Sequence, residues 1–218
     1  SMWAQCPHRW KTAYIDGHRE FSDNIHTLFG TSMHEVIQTF LTVMYNDTAK
    51  MAEALPLEDM LLTRMKRNFE SVLETNGGEM FCTEKDMVEF YQHGVEILKF
   101  IRKKRAQYFS KKGYELIGIE VPLNYDLPNN VKFVGYIDIV IRDTVRDVIK
   151  IYDIKTSTMG WNKWMKADKN KTDQLLLYKQ FYSKQFNHPM DKIEVEYFIV
   201  KRKLYENLDF PQKRVQKF

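Results

Sequence analysis

The chain has 218 residues, room for one domain with an elaboration or at most two small ones. Its 44% hydrophobic and 14% aromatic content excludes wholesale disorder. A net charge of +4 is too small to mark a nucleic-acid binder by composition alone, so any such reading must rest on where the charge lies.

The first half reads as helical. In "GTSMHEVIQTFLTVMYND", Met33, Val36, Ile37, Phe40, Leu41 and Met44 recur at helical spacing, and Ser32 with Glu35 fits a capping box, so a helix is expected to start at Ser32. His34 would then lie in its first turn, at the edge of the buried stripe. A second helix is expected over 57–74, ended by "NGGE", and a third over 84–110, running into the basic "RKKRAQYFSKK". From Gly113 the period changes to that of strands: "YELIGIEVPLNY" and "VKFVGYIDIVIR" flank the turn-rich "DLPNN", and "DTVRD" leads into "VIKIYDIKT". The helix "TDQLLLYKQFYSKQF" and the strand "KIEVEYFIV" follow. This layout predicts an α+β fold with a central mixed sheet. It divides into a helical elaboration over 1–112, a sheet core over 113–203 and a basic tail over 204–218, all within one domain.

Two of these strands carry charge where core residues are expected. Asp138 interrupts Tyr136-Ile137-Ile139-Val140-Ile141, and Asp153 and Lys155 interrupt Ile149-Ile151-Tyr152-Ile154. Asp153 and Lys155 project to the same face, about 7 Å apart, and the hairpin brings Asp138 alongside. Two carboxylates repel unless a cation compensates them, and a hard divalent cation does this better than a lysine. Each residue alone reads as part of a structural ion pair. The combination of an aspartate, a hairpin and Asp-x-Lys is much rarer by chance.

These residues resemble the core signature of the PD-(D/E)XK nuclease superfamily, in its RecB-like exonuclease branch. "GYID", "YDIKT", the upstream His34 in "GTSMHE", and Gln174 and Tyr178 in "DQLLLY" stand in that branch's order, and "WAQCPHRWKTAY" is similar to its opening CP-x-(R/K) helix. The resemblance implies a restriction-endonuclease-like core and one or two Mg²⁺ or Mn²⁺ ions. His34, Asp138, Asp153 and the Ile154 carbonyl would be the ligands. It also implies that Lys155 positions the attacking water and that Gln174 and Tyr178 reach the active-site rim. Glu120 is a further candidate, or else an exposed strand glutamate, and Tyr178 could equally be core. Many members of the branch hold an iron–sulfur cluster with one early and three late cysteines. Cys6 could be the early one, but no cysteine follows Cys82, so no such cluster is expected.

"TSTMGWNKWMKADKNKTDQ" sets Trp161 and Trp164 among Lys163, Lys166, Lys169 and Lys171. Aromatic faces among lysines suit stacking on unpaired bases, although both tryptophans could instead plug the core. Lys103, Lys104 and Arg105 read as a helix's solvated end, and "KRVQKF" as a flexible arm or a solvated end. The function implied is a metal-dependent DNA exonuclease of recombination, repair or phage DNA metabolism. The alternative is a non-catalytic nucleic-acid-binding subunit, or one that works with a helicase or annealing protein, since no phosphate-cradling G-x-x-x-x-G-K-[ST] loop is present. The two widely separated cysteines, the lack of an apolar run of ~18 residues and the absence of an apolar signal core lead us to expect a cytoplasmic protein away from membranes.

Overall fold

The computed structural model describes residues 6–18, 24–205 and 212–218. Among the described residues five helices come first: α1 (Pro7–Tyr14), α2 (Ile25–Asn46), α3 (Ala49–Glu53), α4 (Leu57–Thr75) and α5 (Glu84–Tyr108). They are followed by β1 (Tyr114–Leu127), β2 (Val131–Asp143), β3 (Val148–Ser157), the short α6 (Lys163–Ala167), α7 (Lys169–Phe186), a 3-10 turn at Met190–Lys192, β4 (Ile193–Lys201) and β5 (Val215–Lys217). In α1, Pro7 opens the helix and the Cys6 thiol accepts from the Arg9 N–H. The first residues of "WAQCPHRWKTAY", Trp3 to Gln5, lie outside the described residues.

The start of α2 corrects the sequence reading. Asn24 is the cap, its side chain accepting from His26 N and Thr27 N while the Thr27 hydroxyl accepts from Asn24 N. This upstream box lets the apolar stripe extend back to Leu28 and Phe29. Ser32 is therefore mid-helix, where its hydroxyl donates to the Leu28 carbonyl, and Glu35 is taken by Arg64 and Arg67. His34 sits in the third turn, not the first. It stays at the edge of the buried face, as the stripe required.

The described strands form one sheet in the order β1-β2-β3-β4-β5, antiparallel except for the β3–β4 pair. The fold is thus the expected α+β with a mixed sheet. β1 turns into β2 at Asn129 and Asn130, both at positive φ, which asparagine tolerates and a tight hairpin needs. Two apolar layers cover the sheet. One packs α2, α4 and α5 against Ile139, Ile141, Tyr152, Ile154, Phe198 and Val200. The other packs Leu175, Tyr178, Phe181 and Tyr182 of α7 against Ile137, Ile149, Ile151, Tyr197 and Ile199. Each such buried side chain contributes about 1.5–3 kcal/mol.

The tail differs from expectation. Val215–Lys217 is not a loose arm: it pairs antiparallel with Phe198–Val200 as β5. Residues 206–211 of the tail lie outside the described set. Sequence reading missed this strand because three residues of mixed polarity carry no periodic signal.

The register of β2 and β3 creates the site. Their ladder runs from Asp143↔Val148 to Ile139↔Tyr152 and stops there. The next pair in register would be Asp138 and Asp153. Beyond that point β2 continues beside β1, and β3 continues beside β4 as far as Ser157↔Lys201. The strands part into a notch with an aspartate on each lip.

Candidate active site

Asp153 continues the row of Ile149 and Ile151 that faces α7, and it is 2% exposed. Its Oδ1 accepts from Gln174 Nε2 at 3.0 Å. Lys155, on the same face two residues on, sets its Nζ 2.6 Å from Asp153 Oδ2. That approach is a close ion pair without hydrogen-bond alignment, so the buried Oδ2 has no aligned donor. Asp138, across the notch, uses Oδ2 to accept from the Ile154 N–H at 2.6 Å, which takes the place of the missing ladder bond. His34 reaches over from α2, with Nδ1 3.7 Å from the same oxygen.

Burial pushes both carboxyls up to about 6. At Asp138 it acts against the Ile154 N–H and Lys155, with Glu120 adding to the rise. At Asp153 it acts against Lys155, with Asp138 adding. Desolvation pulls the His34 imidazole below its ordinary value despite the carboxylate of Asp153, which keeps it neutral and able to donate a lone pair near neutral pH. The Ile154 carbonyl side of the backbone also acts on this ring.

Gln174 and Tyr178 lie one turn apart on α7. The Gln174 amide bridges from Asp153 to the Tyr178 hydroxyl, 2.9 Å away. Tyr178 is buried in the apolar layer while its hydroxyl stays bonded to Gln174, so the core position and the contact with the notch go together. Gly135 of "GYID" gives that ring room: a Cβ there would stand 3.2 Å from Tyr178 Cε1.

The structure therefore gathers His34, Asp138, Asp153, Ile154, Lys155, Gln174 and Tyr178 around one notch. Glu120 joins at the rim. It is held at φ +50, a conformation costing a non-glycine residue about 1–3 kcal/mol, and it accepts from Gln38 Nε2 at 2.5 Å. Gln38 also reaches the Asp138 carbonyl. Sequence reasoning missed Gln38, although it stands four residues after His34 on the same helix. It also missed Tyr197, the parallel-pair neighbour of Asp153, whose ring Lys155 overlies at 5.7 Å. Only the β3–β4 pairing reveals that contact.

The lysine-rich loop divides into unlike parts. Trp161 packs on Tyr197, with centroids 4.8 Å apart, and joins the α7-side layer. Trp164 is 73% exposed on α6, with Lys163 Nζ over its ring. Lys166 lies over the Phe218 ring. Lys103 and Lys104 are exposed, and Arg105 is bound to Glu53.

No three histidine, cysteine, aspartate or glutamate side chains among the described residues stand together as a ready-made metal cluster. What the notch offers is an oxygen-rich donor set: two carboxylates, a carbonyl and a neutral imidazole. No helix among the described residues is long and apolar enough to cross a membrane. No curated protein matches the sequence. The family model of the PD-(D/E)XK nuclease superfamily, however, matches residues 2–218, and the chain belongs to that superfamily.

Proposed function

We propose that this protein is a metal-dependent DNA exonuclease of the RecB-like kind, acting on single strands or DNA ends. The observation that carries the reading is the notch itself: Asp138 and Asp153 face each other where the β2–β3 ladder stops, with Lys155 2.6 Å from Asp153. Superfamily members generally use divalent metals. The residues present fit such an ion. Asp153 Oδ2 is buried without an aligned donor, and burial raises both carboxyls, with Asp138 adding to the rise at Asp153, a cost that a cation removes. His34, Asp138, Asp153 and the Ile154 carbonyl would hold Mg²⁺ or Mn²⁺.

Such a cation, when bound, polarises the scissile phosphate and lowers the pKa of water. The remaining roles fall to the chain. Lys155, released from Asp153, would orient the attacking water through its Nζ and offset charge gathering on the phosphate. Gln174 would keep Asp153 in one rotamer, and Tyr178 would fix Gln174 in turn. The buried Asp153 side of the notch limits bulk water around the reacting centre. Exposed Trp164, with Lys163 beside it, would stack on an unpaired base. Digestion of end-labelled single- and double-stranded DNA with Mg²⁺, Mn²⁺ or EDTA tests this. Degradation that needs metal and is lost in Lys155→Ala is the expected result; intact DNA under every metal sinks it.

A further inference from the structure

A cleft of about 570 Å³ opens not at the carboxylates but at the β4–β5 edge. That size falls within the usual range for small-molecule sites, about 300–1,000 Å³. Its lining includes Lys201, Lys213, Trp161, Asn162, Gln107 and Tyr108, with no carboxylate among the described residues. Lys217 in its wall is neutralised by Glu196 at 2.8 Å, but neither Lys201 nor Lys213 has a carboxylate partner among the described residues. Burial, with Arg214 nearby, pulls the Lys201 ammonium below its ordinary value.

The Lys201 and Trp161 side of the cleft shares a face with the notch, while Tyr108, packed on Phe198, lines it from the α5 side. Ser157 pairs with Lys201 and Lys155 with Ile199, so Lys155 and Lys201 share a sheet face, about 8 Å apart on ordinary strand spacings. Trp161, in the cleft lining, packs at a tilt on the Tyr197 ring that Lys155 overlies. The tryptophan backbone is fixed by a pair of bonds to one amide: Gln216 Oε1 accepts from Trp161 N at 2.8 Å, and Gln216 Nε2 donates to Trp161 O at 2.9 Å. Gly160, at φ +89, lets the loop lie on Lys201 and Gln216, since a Cβ would come within 2.8 Å of the lysine stem.

From this arrangement we infer that the cleft is a nucleotide subsite, which takes a phosphate-bearing nucleotide of the strand whose neighbouring phosphate lies at Lys155. Lys201 and Lys213 hold the phosphate, and the Trp161 side receives the sugar and base. This rests on the nuclease reading above and extends it to how the strand is held.

Calorimetric titration of the whole protein in EDTA with thymidine 5′-monophosphate tests the subsite apart from hydrolysis. Binding is expected in wild type, and roughly tenfold weaker binding in Lys201→Met and in Lys213→Ala. Lys213 is exposed, so its loss of binding is not a folding defect. Thymidine without the phosphate should bind at least about tenfold more weakly than the monophosphate. No binding by wild type, equal affinity of thymidine, or unchanged affinity in both variants overturns the subsite. Metal-dependent cleavage of labelled DNA without nucleotide binding leaves the nuclease reading standing and removes the subsite. Nucleotide binding lost in the variants, with no cleavage by wild type, does the reverse.

Discussion

Two aspartates of the β2–β3 hairpin are equally buried, each 2% exposed, and they behave as opposites. Asp143 sits at the closed end, where its Oδ1 accepts from Val145 N and Arg146 N and shapes the turn. Asp153 sits at the open end, where one oxygen is met by Gln174 and the other has only an unaligned lysine. Burial of a carboxylate therefore says little about function on its own. What matters is whether the chain completes the carboxylate's hydrogen bonding or leaves an oxygen for something else.

Substitutions at the two ends should separate cleanly. The largest effect is expected from Lys155→Ala and Asp153→Asn, each lowering the initial rate of metal-dependent DNA hydrolysis about a thousandfold or more. Asp143→Asn should leave that rate within about threefold, because it lies five residues along β2 from Asp138, about 17 Å away. An equal collapse in Asp143→Asn would erase the distinction between the two ends.

The brace on Asp153 sharpens the same contrast. Gln174→Ala should reduce activity or metal affinity by about 10–100-fold, with a melting temperature close to wild type. Next in size, Asp143→Ala should lose about 1–3 kcal/mol in denaturant unfolding, since it strands two turn N–H groups. Asp153→Asn should not show that loss in metal-free protein, where it removes one of two repelling carboxyls.

The smallest effect concerns pH. Asp138 and Asp153 titrate at about 6 when folded, above an ordinary aspartate, so their protonated forms favour the folded state. That contribution is present in full below the ordinary aspartate range and is lost as pH rises through 6. Metal-free wild type should thus melt about 2–4 °C lower at pH 7 than at pH 5 relative to Asp153→Asn. Added Mg²⁺ or Mn²⁺ should restore the difference at pH 7 and do little at pH 5. A metal-induced gain as large at pH 5 as at pH 7 would contradict the carboxylate pair as the ligand source.

The sequence made these residues legible where the geometry is local. Asp153 and Lys155 share a face because strands alternate, and Gln174 meets Tyr178 because they are one helical turn apart. His34 was placed on the right face although its helix was started too late: the Ser32–Glu35 pattern matched a capping box, while the real box at Asn24–Thr27 lay upstream. The relations that escaped reading all join distant segments. Gln38 reaches Glu120 over 82 positions, Tyr197 meets Asp153 only through parallel pairing, and β5 exists only because β4 offers an edge. The lysine-rich loop was half readable. Its aromatic content was plain, but only the fold separates packed Trp161 from exposed Trp164.

That last strand has a consequence for handling the protein. Without β5, the apolar row Phe198-Ile199-Val200 would show an open edge of unpaired backbone groups, the usual template for intermolecular pairing. Trimming the final four residues, or pulling on them with a rigid fusion, would expose that edge and free the loop held by Gln216 in one stroke. The short terminal strand is a guard against self-association as much as a wall of the cleft.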